Sequence, residues 1–371
     1  MSPSRSGAQH KSLLLKRSFP HGEVSERLKE HDWKSCIPTK IGIVGSNPTL
    51  SVLLLFCALL CTKCARELQQ FEQKRILLGT TVEIRLLDTD RTRADEAIKE
   101  AFLEIEKVNS LMSLYDGRSE LSSLNALGYS RHEDLIRIIR ECRRWGDVTE
   151  GAFDITVAPL VRLWDFRNGK IPEEDELRDA LRFVDYRKIS IDSIVRIPPG
   201  CAIDLGGVAK GYAVDRALER LKELGIRHAL VDAGGDIRTM GGKGNSLWKI
   251  GVKHPRREGI MRTIELGDGS VATSGDYERY FFRDSVRYHH ILDPRTGYPA
   301  VGCVSATILA EKAMDADVLA TAIMVLGPQT GIKLIESLDG TGALIIHQSP
   351  RGLIVDEVGT FGSARGKILE N

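Results

Sequence analysis

Residues 202–211, AIDLGGVAKG, constrain this chain more than any other segment. Asp204 ends a strand, the glycine pair Gly206-Gly207 turns the backbone, and Lys210 stands at the mouth of a helix. That helix is read over residues 211–224, with Tyr212, Ala213, Ala217, Leu218, Leu221 and Leu224 on one face. Gly225 stops it. A strand over HALVDA follows and ends in a second glycine pair before Asp236. Glycines let a backbone approach a ligand closely, and a helix N-terminus attracts phosphate. Taken alone, the segment is equally a pair of tight turns with solvated charges.

The rest of the chain alternates between clear helical and clear strand patterns. Residues 76–87 open a strand pair, with Leu78-Gly79-Thr80 leading into the alternating run TVEIRLL. Helices are predicted over residues 91–111, 132–147 and 172–181, and Ser119 caps a short one, SELSSLNAL. Strands are predicted over residues 188–197, 248–252, 263–266 and 304–309. Pro328 opens a helix over 329–338, and residues 343–346 with 353–355 form a closing hairpin. Helices early and strands late predict an α+β fold. Motifs of one site are scattered over the second half and beyond, so residues 66–371 are read as one catalytic domain with two lobes.

Lysine and arginine number 52 against 51 acidic residues, and no basic tail or patch argues for a nucleic-acid partner. No GxGxxG opens a βαβ unit and no GxxxxGK[ST] is present, which makes a Rossmann dehydrogenase and a P-loop phosphotransferase poor readings. The seven cysteines include Cys142, Cys201 and Cys303, show no metal-ligand spacing, and are assigned no function.

The first 51 residues lack periodicity and core. Gly45-Ser46-Asn47-Pro48 back-translates to GGTTCGAATCC, a transfer-RNA T-arm sequence, so residues 1–51 are expected to be a non-native extension, either a tRNA gene read as coding sequence or an overcalled start. No methionine stands between Met1 and Met112. Residues 52–61, VLLLFCALLC, are too short for a comfortable membrane span and suit the apolar core of an export signal. Residues 52–65 are therefore read as an export segment with a possible membrane association, and the protein as exported to the periplasmic side of a bacterial membrane. The residues before Cys57, Cys61 and Cys64 are not the small ones that lipid attachment requires.

Three further blocks join the opening one. Residues 151–166 read GAFDITVAPLVRLWDF. Residues 271–300 carry Ser274-Gly275-Asp276, an aromatic run, and His290 ahead of Asp293-Pro294-Arg295-Thr296-Gly297. Residues 313–327 read AMDADVLATAIMVLG, with Asp317 and Thr321 four apart and hence on one helix face. Two oxygens from one face suit magnesium, and an ordinary acidic first turn suits the same letters. His290 is a candidate general base, since imidazole titrates near neutrality. His289 beside it is expected to point the other way and be exposed.

Together the four blocks, in this order, resemble the FAD:protein FMN transferase (ApbE) family over about the last three hundred residues. The resemblance implies a two-lobed, T-fold-like catalytic domain with a mixed or antiparallel sheet and flanking helices. It implies a metal site of Asp317, Thr321 and the backbone carbonyl of Gly207, holding Mg2+. It implies that FAD is a substrate, contacted by Leu78, Tyr115, Ala152, Phe153, Asp154, Asp204, Lys210 and Ile291, with His290 and Lys210 serving the chemistry. Leu78 stands where the family usually has methionine. The implied reaction passes FMN from FAD to a threonine or serine hydroxyl of an acceptor flavoprotein and releases AMP. Hydrolysis of FAD to FMN and AMP uses the same residues and is the first alternative. A flavin-binding protein without catalysis is the second.

Overall fold

The computed structural model describes residues 67–361. The expectations for residues 1–51 and 52–65 lie outside the described residues. Eight strands form one sheet in which every neighbouring pair is antiparallel. They are β1 (Gln69–Leu77), β2 (Thr80–Asp88), β3 (Ala229–Ala233), β4 (Asp236–Met240), β5 (Gly269–Gly275), β6 (Cys303–Ala310), β7 (Gly342–Ser349) and β8 (Gly352–Gly359), in that spatial order. Between β2 and β3 the chain makes α1 (Arg91–Met112), α2 (Glu120–Leu127), α3 (Glu133–Val148), α4 (Glu174–Leu181) and α5 (Ala209–Glu223). Between β6 and β7 it makes α6 (Ala313–Leu326) and α7 (Pro328–Glu336). The architecture is α+β, as expected, with its sheet wholly antiparallel.

Alternation along the strands explains how both sheet faces are covered. On β7, Ala343 and Ile345 face the main core under α1, α5 and α6, while Leu344 and Ile346 enter a second core. That second core is roofed by a hairpin, Trp248–Lys253 with Ile260–Leu266, which buries Ile250, Val252 and Ile264. A third, smaller cluster gathers Leu160, Trp164, Leu177 and Leu292 with the aromatics Phe166, Phe281 and Tyr288. The Trp164 indole donates to the Gly297 carbonyl at 2.9 Å. This cluster ties residues 155–181 to a hairpin of Tyr280–Arg283 and Val286–His289.

Three elements differ from their predicted form. β1 starts at Gln69 rather than Ile76, because Glu72, Lys74 and Ile76 lie exposed on an edge strand that needs no apolar alternation. Residues 188–197 make only the two-residue strands Ser190–Ile191 and Val195–Arg196. Residues 202–205 belong to no strand. Their backbone is satisfied otherwise: the Asn125 amide donates to Ile203 O at 2.9 Å and accepts from Ile203 N at 2.7 Å, and Asp204 N donates to Ile155 O at 2.7 Å.

Two sharp turns meet at one end of the sheet. Leu78 (φ 53°) and Gly79 (φ 71°) link β1 to β2, and Gly234 (φ 65°) and Gly235 (φ 100°) link β3 to β4. Two-residue hairpin turns with both φ positive match the strand twist. A side chain at Gly234 would run into Thr80, so the second turn requires glycine for the first to lie against it.

Candidate active site

Helix α6 lies between α5 and strands β5 and β6 and is buried almost all round. A helix in that position is apolar on every face, so each of its polar residues needs a partner. Asp315 accepts from the Trp145 indole at 2.9 Å. Asp317, 3 % exposed, accepts from the Gly211 N–H at 3.1 Å through Oδ2. Thr321 Oγ1 is 3.4 Å from Ser274 Oγ on β5. Asp317 and Thr321 therefore share one face, as their spacing predicts. Gly211 is obligatory here: a side chain would meet the Ala313 carbonyl at the start of α6.

Lys210, in the first turn of α5, is the centre of the cluster. Its Nζ bonds the Asp236 carboxylate at the start of β4 and lies 3.7 Å from Asp317 Oδ1. Burial works against the ammonium, but Asp317 and Asp236 outweigh it and hold the lysine above its ordinary range. Burial, and then the neighbouring Asp317, push Asp236 well above the carboxylate range. Two buried carboxylates thus share one ammonium. Gly207 closes the other side. An atom at its Cβ position would lie 3.3 Å from the Phe153 ring and 3.4 Å from Thr321 Oγ1.

The remaining predicted residues fall into two groups. Leu78 sits in the turn that abuts Gly234, at the same end of the sheet as Asp236. Ala152 and Phe153 are buried. Asp204 accepts from Gly206 N at 2.7 Å; burial raises its carboxyl, opposed by that bond and by Arg162 and Arg279. The structure thus brings Phe153, Gly207, Lys210, Asp317 and Thr321 together, and places Leu78 in a turn at the end of the sheet where Asp236 begins β4. Asp154 is engaged elsewhere: Oδ1 accepts from Thr156 N (2.7 Å) and Thr156 Oγ1 (2.6 Å), and Oδ2 from Tyr186 N (3.0 Å). A cavity of about 530 Å³ beside Asp154 is lined by none of Lys210, Asp317 and His290. Tyr115 is 94 % exposed on the loop after α1.

The two adjacent histidines divide into one fixed and one free. His289, expected to be exposed, is 4 % exposed. Its Nε2 donates to Ala300 O at 2.8 Å and its Nδ1 accepts from Ile291 N at 3.3 Å, which uses both ring nitrogens. Strand alternation does not carry past His289, where the hairpin ends. Ile291 is buried and pairs through its backbone with His289 and Ala300. His290 is held by its own N–H to Arg279 O at 3.0 Å, and its buried Nδ1 has no partner among the described residues. Burial, then Arg279 and His289, lower its pKa to about 4, with a smaller contribution from the Lys210 charge. The ring is a neutral proton acceptor at neutral pH.

Two residues of this region escaped the sequence reading. Asp236 is 1 % exposed and bonds Lys210 from 26 residues away. Asp215 accepts from Arg238 at 2.7 Å and from Ala313 N and Met314 N, both at 2.9 Å. Asp215 had left a signal: it interrupts the apolar stripe of Gly211, Val214, Leu218 and Leu221.

Comparison with known proteins shows the family and the fold. The model of the ApbE family matches residues 78–345. An FAD:protein FMN transferase of Vibrio cholerae is 34% identical over 301 residues, which cover 77% of this chain and 90% of that protein. One from Treponema pallidum is 30% identical, with 85% and 93% covered. The solved ApbE protein of Thermotoga maritima superposes with a TM-score of 0.74 at 36% identity, covering 80% of this chain and 99% of its own. The flavin transferase ApbE from Vibrio cholerae superposes with a TM-score of 0.71 at 31% identity, covering 80% and 100%.

Proposed function

The chain belongs to the ApbE family, and we propose that it transfers FMN from FAD to a threonine or serine hydroxyl of an acceptor flavoprotein, with release of AMP and dependence on Mg2+. That it is a transferase acting on the flavin of FAD rests on relatives that bear that name across most of their length. The observation that carries the finer reading is the buried pair Asp236 and Asp317 on one ammonium, Lys210, with Thr321 Oγ1 3.4 Å from where a Cβ on Gly207 would stand.

The donor set suits the metal. Among the described residues no cluster of three or more His, Cys, Asp or Glu is arranged to hold a metal ion. Magnesium does not need one, because one carboxylate with neutral oxygens and substrate phosphate satisfies it. Asp317, Thr321 and the Gly207 carbonyl would hold it here. When bound, it would neutralise charge developing on the phosphoryl oxygens. Lys210 is fixed as a permanent cation next to Asp317, where it can attract the FAD pyrophosphate. His290 is neutral, with a nitrogen free to accept a proton. In the balanced step, the acceptor hydroxyl oxygen bonds to the FMN phosphorus, its proton passes to His290, and the bond from that phosphorus to the AMP oxygen breaks. FMN stays on the acceptor as a phosphodiester.

The test incubates the protein with FAD, magnesium and a candidate acceptor. Covalent flavin fluorescence on the acceptor, matched by released AMP, is expected. Free FMN in place of bound FMN would select hydrolysis, and unchanged FAD would select flavin binding without catalysis. We place the reaction on the exported side of the membrane because residues 52–61 read as an export signal. N-terminal sequencing of the mature native protein, expected to start beyond residue 52, checks this.

A further inference from the structure

We infer that Asp236 is a positioning residue which holds the Lys210 ammonium off the metal-facing oxygen of Asp317, so that a divalent cation can enter. This rests on the reading of Asp317 as a metal ligand. Asp236 stands at the first position of β4, directly after the Gly234-Gly235 turn. Its carboxylate is almost wholly buried, bonds Lys210 and lies against the Asp317 carboxyl. A buried carboxylate placed against a second carboxylate is an expensive feature for a fold to keep, since burying charge costs stability unless it is well paired. The main cores do not need it: β4 is held by backbone ladders to β3 and β5.

The geometry assigns it a task. Lys210 has one ammonium and two anionic neighbours. It is bonded to Asp236 and stands 3.7 Å from Asp317 Oδ1. Asp317 Oδ2 accepts from the Gly211 N–H, while Oδ1 is the oxygen on the Lys210 side, where a cation and the ammonium would compete. Without the Asp236 carboxyl group as a bonding partner, the nearest anion to Lys210 is that same oxygen. The existing Lys210–Asp317 ion pair, at 3.7 Å, would then close to a direct bond in the place of the metal, and an incoming cation would have to break it.

The experiment measures Mn2+ binding by electron paramagnetic resonance, without FAD, on folded protein checked by near-UV circular dichroism. Asp236→Asn is expected to weaken binding about tenfold. Adding Lys210→Met to it is expected to restore wild-type affinity or better. In the Lys210→Met background, which no longer buries an ammonium, Asp236→Asn is expected to change little. That pair of variants keeps the test open if Asp236→Asn alone fails to fold. A merely structural Asp236 would not be rescued by removing the lysine. Unchanged Mn2+ affinity in Asp236→Asn, with Asp317→Asn impaired, would overturn the inference alone. Weakening by Asp236→Asn in the Lys210→Met background would also overturn it, by making Asp236 a direct ligand. Asp317→Asn binding Mn2+ as wild type does would remove the metal reading and the inference with it.

Discussion

Helix α5 carries two buried charge clusters barely more than a turn apart, and they are assembled in opposite ways. At Asp215 the accounts balance. The buried Asp215 meets the Arg238 guanidinium, which also reaches the half-exposed Glu219 at 4.0 Å, and two backbone N–H groups at the start of α6. That end of α6 has no side-chain cap of its own, since Lys312 provides none, so Asp215 supplies it from a neighbouring helix. At Lys210 the charges do not balance, because one ammonium serves two buried carboxylates. Buried polar groups that are fully paired hold a structure together, while incompletely compensated ones mark places kept for another purpose. The first cluster is therefore read as an architectural joint between α5 and α6, and the second as a site waiting for positive charge.

The comparison breaks most visibly through activity. Asp317→Asn is expected to lower AMP release by orders of magnitude, because Lewis-acid stabilisation is worth several kcal/mol and each ~1.4 kcal/mol is tenfold. The measurement is AMP release against magnesium concentration, and raised magnesium should recover part of the loss. The same assay on Asp215→Ala, at a temperature where that variant is folded, should show a much smaller change.

Stability should reverse the ranking. Asp215→Ala leaves Arg238 and the first N–H groups of α6 without their carboxylate, and removing one partner of a buried ion pair costs about 3–5 kcal/mol. Urea denaturation of the variant checks this. A loss no greater than that of an ordinary surface substitution would dissolve the distinction between the two clusters.

A smaller effect concerns pH and His290, which neighbours the second cluster. Its folded pKa of about 4 lies below the ordinary histidine value. If it is the base, kcat/KM should stay level as pH falls from 8 to about 5 and decline only towards 4. A decline starting near 7 would mean that a different group titrates. The linkage sign is fixed by the same shift: between about 6.5 and 4 the unfolded chain takes up a proton that folded His290 refuses, so stability falls as pH falls through that window. His290→Gln should remove that part of the slope.

Much of this was legible in the chain itself. The order of the four blocks sufficed for the family and the fold class, and the spacing of Asp317 and Thr321 for their shared helix face. The closing hairpin of β7 and β8 and the cap at Ser119 stand where local patterns put them. What local patterns could not carry were partnerships across the fold. Asp236 finds Lys210 over 26 residues, and Asp215 finds Ala313 over 98. Neither carboxylate announces its partner by spacing. His289 was misjudged because strand alternation was extended past the end of its hairpin. The polar edge strand β1 was shortened because it lacks the apolar alternation that buried strands show.

The most direct test of the central claim is the thermal stability of Asp317→Asn in the absence of both FAD and metal. If the Lys210 cluster is arranged for cation binding rather than for folding, neutralising one of its two crowded carboxylates leaves a balanced Lys210–Asp236 pair, and the Tm should equal or exceed that of wild type. A Tm several degrees lower, like that of Asp215→Ala, would show that the two clusters do the same structural work and would contradict the account.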